Sequence, residues 1–184
     1  MGGVMETIRK FSAKNGMEIT LRPASPDDST GIIKTLKSPA PERSYVLTEH
    51  GGKSVQSERN YLKSLNTEKN LLLVATTGGE VIGTLAALQA DEGRRPESLN
   101  VAHIGLHIME GYRGYGIGSQ MLEYSIEWAR EHGFKIVDAC IFTTNTIAPN
   151  IFKKAGFAEE GSKTRKVRFG KECIAEVSVV KCLD

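Results

Sequence analysis

The segment Tyr112-Arg113-Gly114-Tyr115-Gly116-Ile117-Gly118 constrains this chain more than any other. Three glycines alternate just ahead of a stretch with helical periodicity, and an arginine stands in front of them. Side chains there would keep a phosphate off the backbone, whereas glycines leave the N–H groups bare. The helix that follows turns its unsatisfied amides and positive dipole end toward the same spot. Arg113 adds a permanent charge that can fork onto a phosphate oxygen. The segment reads as an anion cradle for a pyrophosphate.

Two other phosphate loops fail on their own terms. A Walker A loop ends in Gly-Lys-Ser/Thr, but Gly118 is followed by Ser119-Gln120. The dinucleotide fingerprint needs Gly or Ala at its last position in the right frame. Starting at Gly114 puts Ser119 there, and starting at Gly116 puts Met121 there. Asp138 lies at a distance suited to a ribose-binding acid, yet it falls inside the apolar run Ile136-Val137-Asp138-Ala139-Cys140-Ile141-Phe142. It reads as a strand-interior aspartate.

The flanks carry a resemblance. Ahead of the loop runs Val101-Ala102-His103-Ile104-Gly105-Leu106-His107-Ile108; behind it come a helix, a strand, and Asn145-Thr146-Ile147-Ala148-Pro149-Asn150-Ile151-Phe152-Lys153-Lys154-Ala155-Gly156-Phe157. The chain resembles the GNAT superfamily of acetyl-CoA-dependent N-acetyltransferases. Arg113, Gly116 and Gly118 match that family's Arg/Gln-x-x-Gly-x-Gly/Ala loop. Asn145, Ala148, Lys154, Gly156 and Phe157 match its later Asn-x-x-Ala-x-x-x-Tyr-x-Lys-x-Gly-Phe element, with Phe152 at the tyrosine position.

The resemblance implies an α/β fold: a mixed, mostly antiparallel central sheet flanked by helices, splayed between the strands at 101–109 and 135–143. It implies that backbone groups of Leu106, His107 and Ile108 hold the pantetheine arm of acetyl-CoA. Arg113, Gly114, Tyr115, Gly116, Ile117 and Gly118 would hold the pyrophosphate. Asn145 would stand near the pantetheine, where it also suits a helix cap, and Phe152 would pack beside the coenzyme. A tyrosine at that position donates a proton to the departing thiolate in many relatives, which phenylalanine cannot do. For the proton acceptor, His103 and His107 share one strand face by period-two spacing, and histidine titrates near working pH. The bland reading of each is a packed strand histidine; Glu110 and Tyr115 are loop alternatives. No metal is implied, because the histidine pair lacks a third ligand.

Composition sets the remaining bounds. The 184 residues suit one domain with a single core, read as a loose arm over 1–16 and an acetyltransferase domain over 17–184. A hydrophobic fraction of 40% and charged fraction of 25% are those of a globular protein. A net charge of +2 is too small to argue for nucleic acid, and none is expected as a partner. The cluster Lys163, Arg165, Lys166, Arg168 and Lys171 reads as a solvated hairpin. No apolar run suits a membrane, and Met1-Gly2-Gly3-Val4-Met5-Glu6 suits neither a signal peptide nor a myristoylation site, so the chain is expected in the cytoplasm. The odd cysteine set, Cys140, Cys173 and Cys182, has no metal-like spacing and sits in strand-like runs, as buried thiols would.

Periodicity predicts the order β-α-α-β-β-β-α-β-α-β-β. The first strand falls at 17–22, helices run from Pro26 to Leu36 and from Ser54 to Leu65, and strands at 71–76 and 81–88 flank the turn Thr77-Gly78-Gly79-Glu80. Then come a strand over 101–109, a helix over 116–131, a strand over 135–143, a short helix over 146–154, and a hairpin over 157–167 and 172–181. The reading is direct acetyl transfer from acetyl-CoA, in a ternary complex, to a primary amine: an amino acid, small amine or protein N-terminus. Acceptor choice would lie in the first helices, the 38–53 loop and the terminal hairpin. The resemblance allows a homodimer. The rival, motivated by Phe152, is a non-catalytic acyl-CoA-binding module.

Overall fold

The strand turn at Gly78-Gly79 shows how local chemistry sets the frame. Their φ angles of +55° and +84° supply the left-handed pair that a two-residue hairpin turn requires. The computed structural model describes residues 8–37, 54–94, 100–169 and 172–183. Along the chain these form β1 (Arg9–Ser12), β2 (Glu18–Pro23), α1 (Ser29–Lys37), α2 (Val55–Ser64), β3 (Asn70–Thr77), β4 (Glu80–Gln89), β5 (Val101–Ile108), α3 (Ile117–Glu131), β6 (Ile136–Phe142), α4 (Ala148–Lys154), β7 (Ala158–Phe169) and β8 (Glu172–Cys182). The 38–53 loop, the Gly170-Lys171 turn and the side chains of the basic hairpin cluster fall outside the described residues.

One sheet in the order β1-β2-β3-β4-β5-β6-β8-β7 organises the described residues. Every neighbouring pair is antiparallel except β5 with β6. Side chains alternate between its faces. One face buries Leu73, Leu85, Ala102, Ile104, Val137 and Ala139 against Met121 and Leu122 of α3. On the other, Val74 and Val81 pack with Ile32 of α1 and Leu62 of α2. Each fully buried aliphatic side chain contributes about 1.5–3 kcal/mol relative to exposure. Among the described residues no helix is long and apolar enough to cross a membrane.

The predicted elements form at their predicted places, with two differences. Residues 9–12, read as part of a loose arm, pair antiparallel with β2 as an edge strand. Arg9 also holds Glu127 of α3 at 2.5 Å and lies over the ring of Tyr124. The strand carries one apolar residue, Phe11, so it has no alternating signature; tertiary pairing alone holds it. The second difference is the last short helix, which starts at Ala148 rather than Thr146. Asn145 Oδ1 accepts from both Ile147 N (3.2 Å) and Ala148 N (3.0 Å), so the asparagine closes a turn before the helix begins.

A charged anchor holds the first helix. Arg22 meets Asp28 through two hydrogen bonds of 2.7 Å each, and Ser25 N adds a third at 2.7 Å. Burial alone would raise the Asp28 pKa, but the bonds from Arg22 and Ser25 outweigh it and hold the carboxyl below its ordinary range.

The position of the site follows from the parallel pair. Only Val101↔Ile136, Ala102↔Val137 and His103↔Asp138 are in register; beyond them the β5–β6 ladder ends. β5 continues along β4 as far as Ile108, and β6 continues along β8 as far as Phe142. The two strands therefore diverge into a wedge whose vertex is His103 and Asp138.

Candidate active site

The cradle has the backbone its sequence demands. Gly116 has φ +90° and forms the N-terminal cap of α3, a conformation that a side chain would strain. The N–H groups of the first turn of α3 are left for a ligand, as at any helix start. Gly118 serves a different need. A Cβ there would stand 3.3 Å from Ile108 Cδ1 and 3.4 Å from Leu106 Cδ2, so its absence lets α3 press onto the end of β5.

A cavity of about 330 Å³ runs from this cradle along the end of β5 at Leu106, His107 and Ile108, while His103 and Asp138 stand outside its lining. Of the predicted coenzyme residues, Leu106, His107, Ile108, Arg113, Gly114, Gly116, Gly118 and Asn145 line it. Tyr115, Ile117 and Phe152 stand back from the lining. Ile117 is buried in the core, and Tyr115 packs against it. Phe152 is also in the core, edge-on to Phe157 with ring centroids 4.9 Å apart. Arg113 donates Nε–H to the Ile108 carbonyl at 2.8 Å, which pins the loop to the strand and leaves the other guanidinium nitrogens for an anion.

Two cavity lysines escaped the sequence reading. Lys14 arrives from the β1–β2 turn: its N–H donates to the Tyr115 carbonyl at 3.2 Å, and its side chain extends beside Gly116. Lys154 comes from α4, on the other flank of the same cavity. No sequence signal marked Lys14, because only the pairing of β1 brings that turn to the loop. Lys154 was visible as a motif residue but carried no assigned role.

The two histidines have different surroundings. His107 is 4% exposed and hydrogen-bonds the Thr35 backbone in the last turn of α1. Burial, reinforced by the nearby Arg113 charge, holds its pKa below the ordinary histidine value, although the Thr35 bond acts the other way. His103 is 34% exposed at its side chain and meets Asp138 through Nδ1 and Oδ1 at 2.8 Å. Nearby, Cys140 is half-buried with Sγ 4.0 Å from Ser178 Oγ, while Cys182 is exposed. Glu110 lies on the loop, outside the cavity lining. Among the described residues no His/Cys/Asp/Glu group is arranged to hold a metal.

Comparison with known proteins agrees with this arrangement. The model of the acetyltransferase (GNAT) family matches residues 36–157. YwnH of Bacillus subtilis (strain 168), provisionally named a phosphinothricin acetyltransferase, is 28% identical over 143 residues, spanning 78% of this chain and 86% of its own length. An N-alpha-acetyltransferase of Sulfurisphaera tokodaii is 28% identical over 156 residues, spanning 80% and 84%. The fold is shared with YncA of Salmonella typhimurium, solved with its cofactor acetyl-CoA, at a TM-score of 0.75 and 17% identity over 90% of this chain and 94% of that one. With the family model covering the larger part of its length, this chain belongs to the acetyltransferase (GNAT) family and is an acetyl-CoA-dependent N-acetyltransferase.

Proposed function

We propose that the enzyme transfers acetyl directly from acetyl-CoA to a primary amine in a ternary complex, with His103 taking the proton. The observation that carries this reading is the wedge. Its ladder stops at His103 and Asp138, and a cavity runs from the released end of β5, at Leu106 to Ile108, to the glycine cradle. A pyrophosphate fits the cradle, because Gly116 keeps the path clear and Arg113 and Lys14 supply positive charge. An extended arm fits between the strands, where backbone groups of Leu106, His107 and Ile108 are available. A thioester carbonyl held near them would be polarised by a backbone N–H.

The acceptor approaches on the face shared by His103 and Asp138. A neutral amine attacks the carbonyl carbon, the C–N bond forms, and the C–S bond breaks. The proton released from nitrogen needs an acceptor within reach. His103 sits three residues from Leu106, about 10 Å along the strand, so the proton reaches the imidazole through bridging water rather than by direct contact. Phe152 offers no proton to the departing thiolate, so water supplies it, or the thiolate leaves as such; a free thiol has a pKa of about 8.5. The acceptor is an amino acid, a small amine or a protein N-terminus, a range supported by overall likeness to the family, whose members above are named a phosphinothricin acetyltransferase and an N-alpha-acetyltransferase.

A thiol-release screen with acetyl-CoA across amino acids, small amines and N-terminal peptides tests the reading. Turnover with one amine class is the expected result. Coenzyme binding without turnover across the panel would replace it with the acyl-CoA-binding module.

A further inference from the structure

We propose that Asp138 is a positioning residue that fixes the tautomer and direction of the His103 ring, making the pair the proton-accepting unit of the wedge. The proposal rests on the acetyl-transfer reading above and adds a residue to it. Asp138 interrupts a strand whose neighbours Val137, Ala139 and Ile141 are buried in the core. Its own side chain is 41% exposed, so water solvates the charge, and its protein partner is the imidazole of His103, in register across the last rung of the parallel ladder.

The outer neighbours reinforce the pairing. On β4 the residue opposite His103 is Leu88, and on β8 the residue opposite Asp138 is Val180. Each polar group therefore has an aliphatic side chain on its far side and the other polar group on its near side. An ionised carboxylate only accepts hydrogen bonds, and a neutral imidazole carries a single N–H. The 2.8 Å contact through Nδ1 therefore places that proton on Nδ1 and leaves Nε2 with a lone pair. When the amine loses its proton to Nε2, the imidazolium that forms lies beside a carboxylate, and it later returns the proton to water. His107 stands in contrast: its ring is buried and bonded to the Thr35 backbone at the end of α1, and it borders the coenzyme-side cavity rather than meeting Asp138.

The histidine ring 15N resonances of the wild-type enzyme, assigned with a His103→Gln spectrum, report the tautomer without any turnover. Expected is a protonated Nδ1 and a bare Nε2 while the ring is neutral; a protonated Nε2 would overturn the proposal. Kinetics give the second readout. Asp138→Ala should lower kcat at least about tenfold while leaving acetyl-CoA affinity within twofold, because a general base contributes about 10²–10⁴-fold. In the His103→Gln background the same substitution should change kcat by less than twofold, since residues acting as a unit are not additive. Full additivity, or wild-type kcat in folded Asp138→Ala, would overturn the dyad while leaving acetyl transfer intact. Failure of the wild type to acetylate any amine would overturn both.

Discussion

The proposed coenzyme side and the proposed acceptor side of the wedge are built from different materials. The first is backbone: a left-handed glycine, the open amides of α3, and a strand edge released from its ladder. The second is side chains: His103 on β5, Asp138 on β6, and His107 tied back to α1. A backbone cradle tolerates variation around it provided the glycines stay. A side-chain cluster depends on which residues the topology brings opposite one another. The coenzyme side should therefore govern affinity, and the acceptor side turnover.

The largest expected effect breaks the cradle. Gly116→Val places a β-branched side chain at φ +90° and in the phosphate path. Backbone strain of about 1–3 kcal/mol plus the lost contacts should weaken acetyl-CoA binding about 100-fold or more. Calorimetric titration checks this, and equal affinity for variant and wild type would contradict it.

Next in size is the anchor at the start of α1. Asp28→Asn removes a carboxylate that is 8% exposed and doubly bonded to Arg22. Stability should fall by about 1–3 kcal/mol, as for charge-assisted hydrogen bonds, discounted because Arg22 is partly solvated. The native pKa is depressed, so this contribution is complete above about pH 4, the unfolded value, and is lost as pH falls through the native value. Denaturant titrations from pH 7 to 3 should show a shallower acid limb in the variant.

A smaller effect sharpens the boundary between the two sides. Lys14→Met should weaken acetyl-CoA binding about fivefold at low salt, the worth of one exposed ion pair, and the difference should shrink at high salt. Saturated turnover should not change. A fall in kcat with unchanged affinity would move Lys14 to the acceptor side.

The smallest effect separates the histidines. His107 has a lowered native pKa, so the protein is most stable above the ordinary histidine value of about 6.5 and loses that contribution as pH falls through the native value. In His107→Gln, melting temperature should decline less between pH 7 and 5 than in the wild type. Matching declines would show that His107 is not buried in the neutral form.

Much of the fold was legible because its signals are local. Gly78-Gly79 specified the hairpin of β3 and β4, and Ser54 a helix start, where its hydroxyl accepts from Ser57 N at 3.1 Å. The cradle was legible for the same reason: Gly114, Gly116 and Gly118 report the backbone they need. What escaped was made by pairing. β1 has no periodic pattern, so neither its place at the sheet edge nor the arrival of Lys14 at Gly116 is written in residues 9–14. Asp138 was read correctly as strand-interior, but its partner is 35 residues away and appears only once β5 and β6 are in register. Phe152 was given a place beside the coenzyme from its motif position; its ring is in the core against Phe157.

The most direct test of the account is the acetyl-transfer rate at saturating substrates for wild type and His103→Gln, with acetyl-CoA affinity measured on the same samples. The account predicts that kcat falls about 100-fold, within the range for loss of a general base, while affinity stays within twofold. A variant that retains wild-type kcat would remove His103 from the chemistry. One that loses rate and affinity together would contradict the division between a backbone site for the coenzyme and a side-chain site for the proton.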